Sequence, residues 1–535
     1  MAIRPTHSID PSLASHGRGV RWAVYLLAGV LIAILFGVGQ TAAHLRTDET
    51  DCWLFAYYAD QMLQGRQLYG DLWDNKPPGI FWINALGLQI GGGYGGVIAL
   101  CVSASAVALG VFFLIARNWY GRTPAIIGTV LASLYLSHQM YRGGTNRPET
   151  FVVLFDLAAV FWYQRGLRSP SARCWLLAGG MAGMSFVFKQ TGVAAFGAIL
   201  VHQLFLALRA RRIGRERLRV LAWLALGWVG ACGLAIMALL FTSDLKWAWD
   251  AIVLFVFRFS AAKHGGMPRP TLFGMSEHIE ILALPLILAL AAVAYAFARC
   301  LRRNPANGEQ AGAWDAAGIP ILLTVWFLVA GFIAFTGPNK AYHYVLPALS
   351  PLLLLATMSI ELLIHQRADH TRLPPYVLRY VAVGWFAYMG FAPLKHQIYQ
   401  LNSAVYMRLQ QPDPFGDETM VDFVKSITEE DDSIFLWRYL PHVYWATGRS
   451  SGARFHSMIN VGQLGRRGQY MVDDVLASFK ADPPKLITLR FRRARELRDA
   501  DPGNGPDFRA LAAYLCERFG PINPNNPDSV LLRIE

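Results

Sequence analysis

Long apolar runs, separated by connectors that are alternately arginine-rich and acidic or glycine-rich, constrain this chain more than any other feature. About 20 mainly apolar residues cross the hydrocarbon of a bilayer as one helix, in which every backbone polar group is satisfied within the segment. The runs lie at 22–43, 97–116, 124–141, 150–163, 174–188, 193–208, 221–241, 279–297, 316–335, 345–364 and 377–391. They predict a mainly α, polytopic membrane protein with about 11 transmembrane helices over residues 1–395, followed by a soluble α/β domain over 396–535. Composition agrees, since 54% of the residues are hydrophobic and 16% charged, against about 25% charged in ordinary soluble proteins. The first run follows Arg4, Arg18 and Arg21. It is read as a retained anchor, because the core of a cleaved signal peptide is only about 7–15 residues long.

The connectors orient the threading. One set holds Arg117 and Arg122, then Arg165, Arg168 and Arg173, then six arginines from Arg209 to Arg219, then Arg299, Arg302 and Arg303, then Arg367, Arg372 and Arg379. Basic connectors stay on the cytoplasmic side, so the other set, 44–78, 142–149, the turn at Lys189, 242–278 and 336–344, faces outward. The N-terminus is then cytoplasmic and the C-terminal domain lies on the outward side. The net charge of +13 is dispersed between apolar runs, which argues against a nucleic-acid partner, where Lys and Arg gather on one exposed domain.

The tail loses the apolar runs. Residues 433–437 and 485–489 read as short buried strands, and 418–427 and 508–519 as helices. No phosphate loop or nucleophile motif is found there, so its expected role is accessory or acceptor-contacting. The six cysteines show no CxxC pair and no zinc spacing. Cys52 and Cys516 both fall on the oxidising side, which leaves a disulfide between them open.

The richest outward connector is the first, Thr47-Asp48-Glu49-Thr50-Asp51-Cys52-Trp53, then helix-compatible sequence to Gln64, then Gly65-Arg66-Gln67-Leu68-Tyr69 and Asp74-Asn75-Lys76-Pro77-Pro78 re-entering the membrane. Acids directly after a span are partly desolvated, which raises their basicity. The plainer reading is that they solvate the N-terminus of the next helix. The outward cations are Lys76, Lys189, Lys340 and Arg258, and a lone one at a span end ordinarily snorkels to the interface. Several of them on one face suit a phosphate. The stretch 247–264 mixes aromatics with Asp250, Arg258, Lys263 and His264, as in an interfacial helix. Asp156 is the one acid well inside a run, seven residues beyond Glu149 and about 10 Å deeper on the same face.

This arrangement resembles the GT-C glycosyltransferases, in particular the bacterial polyprenyl-phosphate-sugar-dependent branch of aminoarabinose transferases and protein O-mannosyltransferases (families 39 and 83). The resemblance runs through most of the first 360 residues. It is carried by the Asp48-Glu49 pair, by Lys76-Pro77-Pro78, by Asn146-Arg147-Pro148-Glu149-Thr150-Phe151, by the glycine-rich run Gly179-Gly180-Met181-Ala182-Gly183 ahead of Phe188-Lys189-Gln190-Thr191, and by Lys340-Ala341-Tyr342-His343-Tyr344-Val345-Leu346-Pro347. It implies Asp48, Glu49 and Glu149 as catalytic acids, with Asp48 the base, although the family often has Asp where this chain has Glu149. It also implies Lys76, Lys189, Arg258, Lys340 and Tyr344 as contacts to the donor phosphate. Tyr69, Arg147, Gln190, Tyr342 and His343 are candidate acceptor or sugar contacts.

The implied reaction is inverting transfer of a sugar from an undecaprenyl- or decaprenyl-phosphate carrier to an acceptor hydroxyl on a glycolipid, polysaccharide or protein. Relatives in this branch work without a cofactor, and metal independence is expected, although His343 with Asp48, Glu49 and Glu149 offers a divalent cation ligands of the right type. The rivals are a transporter or flippase, a polysaccharide polymerase or ligase, and an assembly scaffold. The first should place ionisable or broken helices at mid-membrane, often in repeated halves. The second usually carries an arginine-rich outward loop, whereas 242–278 has only Arg258 and Arg269. The third leaves the acidic pair and the Lys-Pro-Pro motif unexplained.

Overall fold

Apolar runs of this length form helices because lipid offers their backbone no partner, and antiparallel neighbours follow because the connectors are short. A computed structural model describes residues 11–45, 50–210, 214–264, 275–302, 318–336, 341–365, 391–406, 409, 418–458, 461, 464–489, 505–521 and 530–533. The bundle comprises α1 (Pro11–Leu45), α4 (Tyr94–Tyr120), α5 (Arg122–Leu136), α6 (Pro148–Arg168), α7 (Ala172–Phe188), α8 (Ala194–Arg209), α9 (Arg215–Thr242), α12 (Met275–Arg302), α13 (Ile319–Thr336) and α14 (Leu346–His365). Between them lie α2 (Thr50–Leu63), α3 (Gly79–Gly91), α10 (Leu245–Trp249) and α11 (Phe255–His264), the last two joined by a π-helical turn over Asp250–Leu254.

Among the described residues seven helices are long and apolar enough to span a membrane, and Arg122–Leu136 and Ala172–Phe188 are shorter apolar members of the same bundle. The chain is thus a multi-pass membrane protein. Every run expected up to residue 364 coincides with a bundle helix. The last, 377–391, lies outside the described residues except for its final position.

The helices alternate in direction. Gln40 near the end of α1 donates to the Gly143 carbonyl before α6, Trp53 stacks on Tyr94 at the start of α4, and Ser243 after α9 bonds the Leu68 carbonyl. Arg117, Arg165, Arg168 and Arg209 all stand at the other end, in the last turns of α4, α6 and α8. α3 corrects one expectation. After Pro78 the chain does not cross, because Gly79 abuts Val187 and Phe188 at the end of α7 while Gly91 abuts Gly96 at the start of α4. Thirteen residues, about 20 Å of helix, therefore lie across one end of the bundle.

The glycine-rich run has a packing reason. A Cβ on Gly179 would fall on the Leu224 carbonyl, and one on Gly227 on the Leu176 carbonyl, so α7 and α9 touch backbone to backbone.

The C-terminal module is α/β. Its sheet has the order β2-β1-β3-β5-β4, from β1 (Ser433–Leu436), β2 (Ser450–Ser451), β3 (Leu486–Thr488), β4 (Phe519–Pro521) and β5 (Val530–Arg533). β1 runs parallel to β2 and β3, and β5 is antiparallel to β3 and β4. Helices Glu418–Ile427, Pro441–Thr447, Gln469–Ala481 and Arg509–Arg518 flank it. The module shares one hydrophobic core with α2, α3 and the start of α4. Cys52 is buried and Cys516 exposed, and no disulfide joins the two, so the pairing left open above is not made.

Candidate active site

Four chain reversals meet at the end of the bundle covered by the C-terminal module, and each brings a charged or polar residue. The first turn of α2 carries Asp51 and the first turn of α6 carries Glu149, so both carboxylates sit where the helix dipole favours negative charge. Pro148 at the first helical position fixes where α6 begins, directly after Arg147. Lys189 is the extended residue that ends α7. His343 and Tyr344 lie on the 3-10 turn that leads into α14.

These groups pair across the chain. Arg147 Nη1 donates to Asp51 Oδ2 and to His343 Nε2, at 3.1 Å each. The histidine accepts, so its proton is on Nδ1. His343 Nε2 lies 3.7 Å from Glu149 Oε1. Lys189 pairs with the same Glu149 oxygen, and its ammonium stands 3.9 Å over the Tyr344 ring. Tyr439, from the C-terminal module, donates to Asp51 Oδ1 at 2.8 Å. Burial alone would raise the Asp51 pKa, but the Arg147 guanidinium, the Lys76 ammonium and the Tyr439 hydroxyl outweigh it and hold the carboxyl at about 2.

Lys76 joins this group through the bend before Pro77. Its ammonium lies 2.9 Å from Asn75 Oδ1 and 3.4 Å from Asp74 Oδ1. Burial disfavours its charge, but Asp74 and Asp51 more than offset that and push its pKa up. Asp74 is raised by its own burial, against Lys76. Two sequence-expected side chains brace the bend. Tyr69 holds a left-handed backbone, φ 63°, and donates to the Lys76 carbonyl at 2.7 Å. Gln190 donates to the carbonyls of Asn75 at 2.7 Å and Ile252 at 3.1 Å. A left-handed tyrosine is costly, and such strain is tolerated where surrounding contacts hold it.

The other expected residues lie elsewhere. Tyr342 turns its ring onto His278, with centroids 5.3 Å apart. Arg258 bonds Asp250 at 2.6 Å beneath the Tyr470 ring. Asp48, Glu49 and Lys340 lie outside the described residues. Among the described residues no group of three His, Cys, Asp or Glu side chains is placed to hold a metal ion.

Sequence reasoning missed Asp51, Tyr439 and His456. Asp51 is signalled by its place in the first turn after the acidic pair. Nothing local marks the other two, which reach the site only because the module docks. Tyr57 Oη accepts from the Ser451 amide at 2.8 Å, Tyr58 Oη lies 2.7 Å from His456 Nδ1, and the Trp73 amide donates to the Arg454 carbonyl at 3.1 Å. Asn84 and Asn146 exchange two amide bonds at 2.8 and 2.7 Å, and Asn146 also donates to the Cys52 carbonyl at 3.0 Å. This buried pair locks α2, α3 and α6 together beneath the charged groups.

Residues 75–239 match the family model described as dolichyl-phosphate-mannose-protein mannosyltransferase. No curated protein matches the chain in sequence. Among solved structures, ArnT from Cupriavidus metallidurans bound to undecaprenyl phosphate is similar over 96% of this chain and 98% of that one, at 12% identity and a TM-score of 0.59. The Archaeoglobus fulgidus oligosaccharyltransferase AglB, in complex with an inhibitory peptide and a dolichol-phosphate, is similar over 87% of this chain and 70% of that one, at 11% identity and a TM-score of 0.53. The fold is the GT-C fold of membrane glycosyltransferases.

Proposed function

We propose that this chain transfers a sugar from a polyprenyl-phosphate carrier to an acceptor hydroxyl on the periplasmic face of a bacterial inner membrane, with inversion and without a cofactor. The observation that carries the reading is the convergence, from four separate reversals and the bend before Pro77, of Asp51, Lys76, Arg147, Glu149, Lys189, His343 and Tyr344 at one end of the bundle. The lipid-phosphate ligands of the similar ArnT and AglB structures support the donor class.

The acceptor oxygen attacks the anomeric carbon as its proton passes to a carboxylate. The bond from that carbon to the phosphate oxygen breaks, and its electron pair leaves on the polyprenyl phosphate. That phosphate changes from a diester with one negative charge to a monoester with up to two. Cations bound to it therefore stabilise the product-like charge more than the starting charge, which is what lowers a barrier. Lys76 and Lys189 serve this role, with Lys340 and Arg258 as outer candidates. Each described cation at the centre already has a carboxylate partner: Arg147 has Asp51, Lys189 has Glu149 and Lys76 has Asp74. The pairs hold these cations in place in a water-poor site, and the donor phosphate shares them.

Asp48 is the proposed base. It stands three residues ahead of Asp51, hence within about 11 Å of it by chain length alone. Asp51 itself, held near pKa 2, is a poor proton acceptor and keeps Arg147 in place. Glu149 positions Lys189 and His343. The acceptor class is a glycolipid, polysaccharide or protein hydroxyl.

The test incubates the purified protein with a radiolabelled polyprenyl-phosphate sugar and membrane acceptors. Asp48→Asn and Lys76→Ala should each lower transfer by at least about 100-fold. Normal transfer by both variants would overturn the reading. Labelling of a cysteine placed at position 48 from the cytoplasmic side alone would reverse the orientation.

A further inference from the structure

One acceptor in the junction is used by nothing in the described structure. His456 follows β2 in the C-terminal module and is 4% exposed. Tyr58 Oη lies 2.8 Å from the Trp73 carbonyl and 2.7 Å from His456 Nδ1. A carbonyl only accepts, so the single tyrosine proton goes to Trp73, and the second contact requires Nδ1 to donate to the tyrosine oxygen. Nε2 then bears the lone pair, and it is buried without a partner. Buried acceptors are nearly always satisfied, so an unused one needs a reason.

Its surroundings supply one. The imidazole meets Tyr58 edge-on, with centroids 5.5 Å apart, and lies 5.4 Å from the ring of Tyr439, whose hydroxyl bonds Asp51. The charges of Lys76 and Asp51 both reach it. The free nitrogen thus lies within electrostatic reach of Lys76, the proposed phosphate contact, and its ring packs against two aromatic rings, the kind of surface on which a sugar packs its C–H faces.

We propose that His456 Nε2 accepts a hydrogen bond from a ring hydroxyl of the donor sugar, which makes the C-terminal module a determinant of sugar specificity. The inference rests on the transfer reaction proposed above. Burial and Lys76 together hold this imidazole neutral, at about 3, so it orients the sugar and does not serve as the base. A sugar without that hydroxyl leaves the nitrogen unpaired, and such a site discriminates strongly against the deoxy analogue.

Two substitutions in the full-length protein separate this role from a structural one. His456→Asn keeps an amide near Nδ1 for Tyr58 and has nothing at Nε2, whereas His456→Gln places an amide oxygen near Nε2. With a radiolabelled polyprenyl-phosphate sugar, His456→Asn should raise the donor KM about three- to tenfold, the worth of one neutral hydrogen bond. The acceptor KM and the melting temperature should stay near wild type, and His456→Gln should recover most of the donor KM. An unchanged donor KM in His456→Asn, a shift confined to the acceptor KM, or an equal loss in both variants with lowered melting temperatures overturns the proposal. If wild type transfers and Lys76→Ala does not, indifference to His456→Asn sinks this inference alone. If wild type transfers nothing from such donors, the parent reading falls and this one with it.

Discussion

Glu149 and Lys189 are the side chains whose pairing matters most to the interior of the site, because the carboxylate is only 2% exposed. Removing one partner of a buried ion pair strands the other, at a cost of about 3–5 kcal/mol. Lys189→Met should therefore lower both stability and transfer, while Lys189→Met combined with Glu149→Gln should regain stability in a detergent melt without regaining transfer. Recovery of both would mean that the pair is structural only. Asp51 gives a pH signature. Its folded pKa, about 2, lies below the ordinary aspartate value of 3.8, so its stabilising contribution is fully present above pH 3.8 and is lost as pH falls towards 2. Wild type should melt higher than Asp51→Asn above about pH 4, and the two should converge near pH 2. Of these residues, Glu149 and Lys189 are legible in the sequence as an acid and a lysine at span ends. Their partnership is not, because 40 residues separate them and no local pattern encodes a contact.

Elements show where small residues decide packing. Gly179 and Gly227 sit against backbone carbonyls of the facing helix, whereas Gly230, on the same helix as Gly227, has nothing within 4 Å of its added Cβ. Gly179→Leu should destabilise by about 1–3 kcal/mol or more through overpacking, and Gly230→Leu should leave the melting temperature unchanged. Equal melts would refute close contact between α7 and α9. Hydropathy reads α7 and α9 as membrane runs without difficulty, and the glycine run hints at a close neighbour. Which neighbour it meets depends on the matching groove at Leu224–Gly227, 45 residues on. α3 is the converse case. Its composition is as apolar as a span, and only its length and the contacts of Gly79 with the end of α7 and of Gly91 with the start of α4 reveal that it lies across the end of the bundle.

For the whole molecule, the C-terminal module packs over the candidate site and adds Tyr439 to it. Tyr57 and Tyr58, almost wholly buried, face it, and Tyr439 reaches from it to Asp51. Ending the chain after residue 406 would uncover Phe55, Tyr57, Tyr58 and Trp73 together. The truncated protein should lose transfer and aggregate in detergent. Normal transfer by a monodisperse truncation would show that the module is dispensable. The break between bundle and module is visible as the loss of apolar runs after residue 395, yet the core of residues 418–533 continues into α2 and α3. A composition boundary marks where lipid stops being the solvent, and it carries no information on whether the parts on either side share a core.

Hydropathy and connector charge act segment by segment, so the order of residues is enough to tell which segments enter the membrane, how they alternate, and which residue types gather at one end. It takes the folded chain to reveal that Arg147 clasps Asp51 and His343, that Lys189 serves Glu149 beneath Tyr344, and that a tyrosine and a histidine from the last quarter of the chain stand beside the first acidic connector. Those pairings depend on the shapes of surfaces 40 to 398 residues apart, which meet once the apolar faces have been buried together.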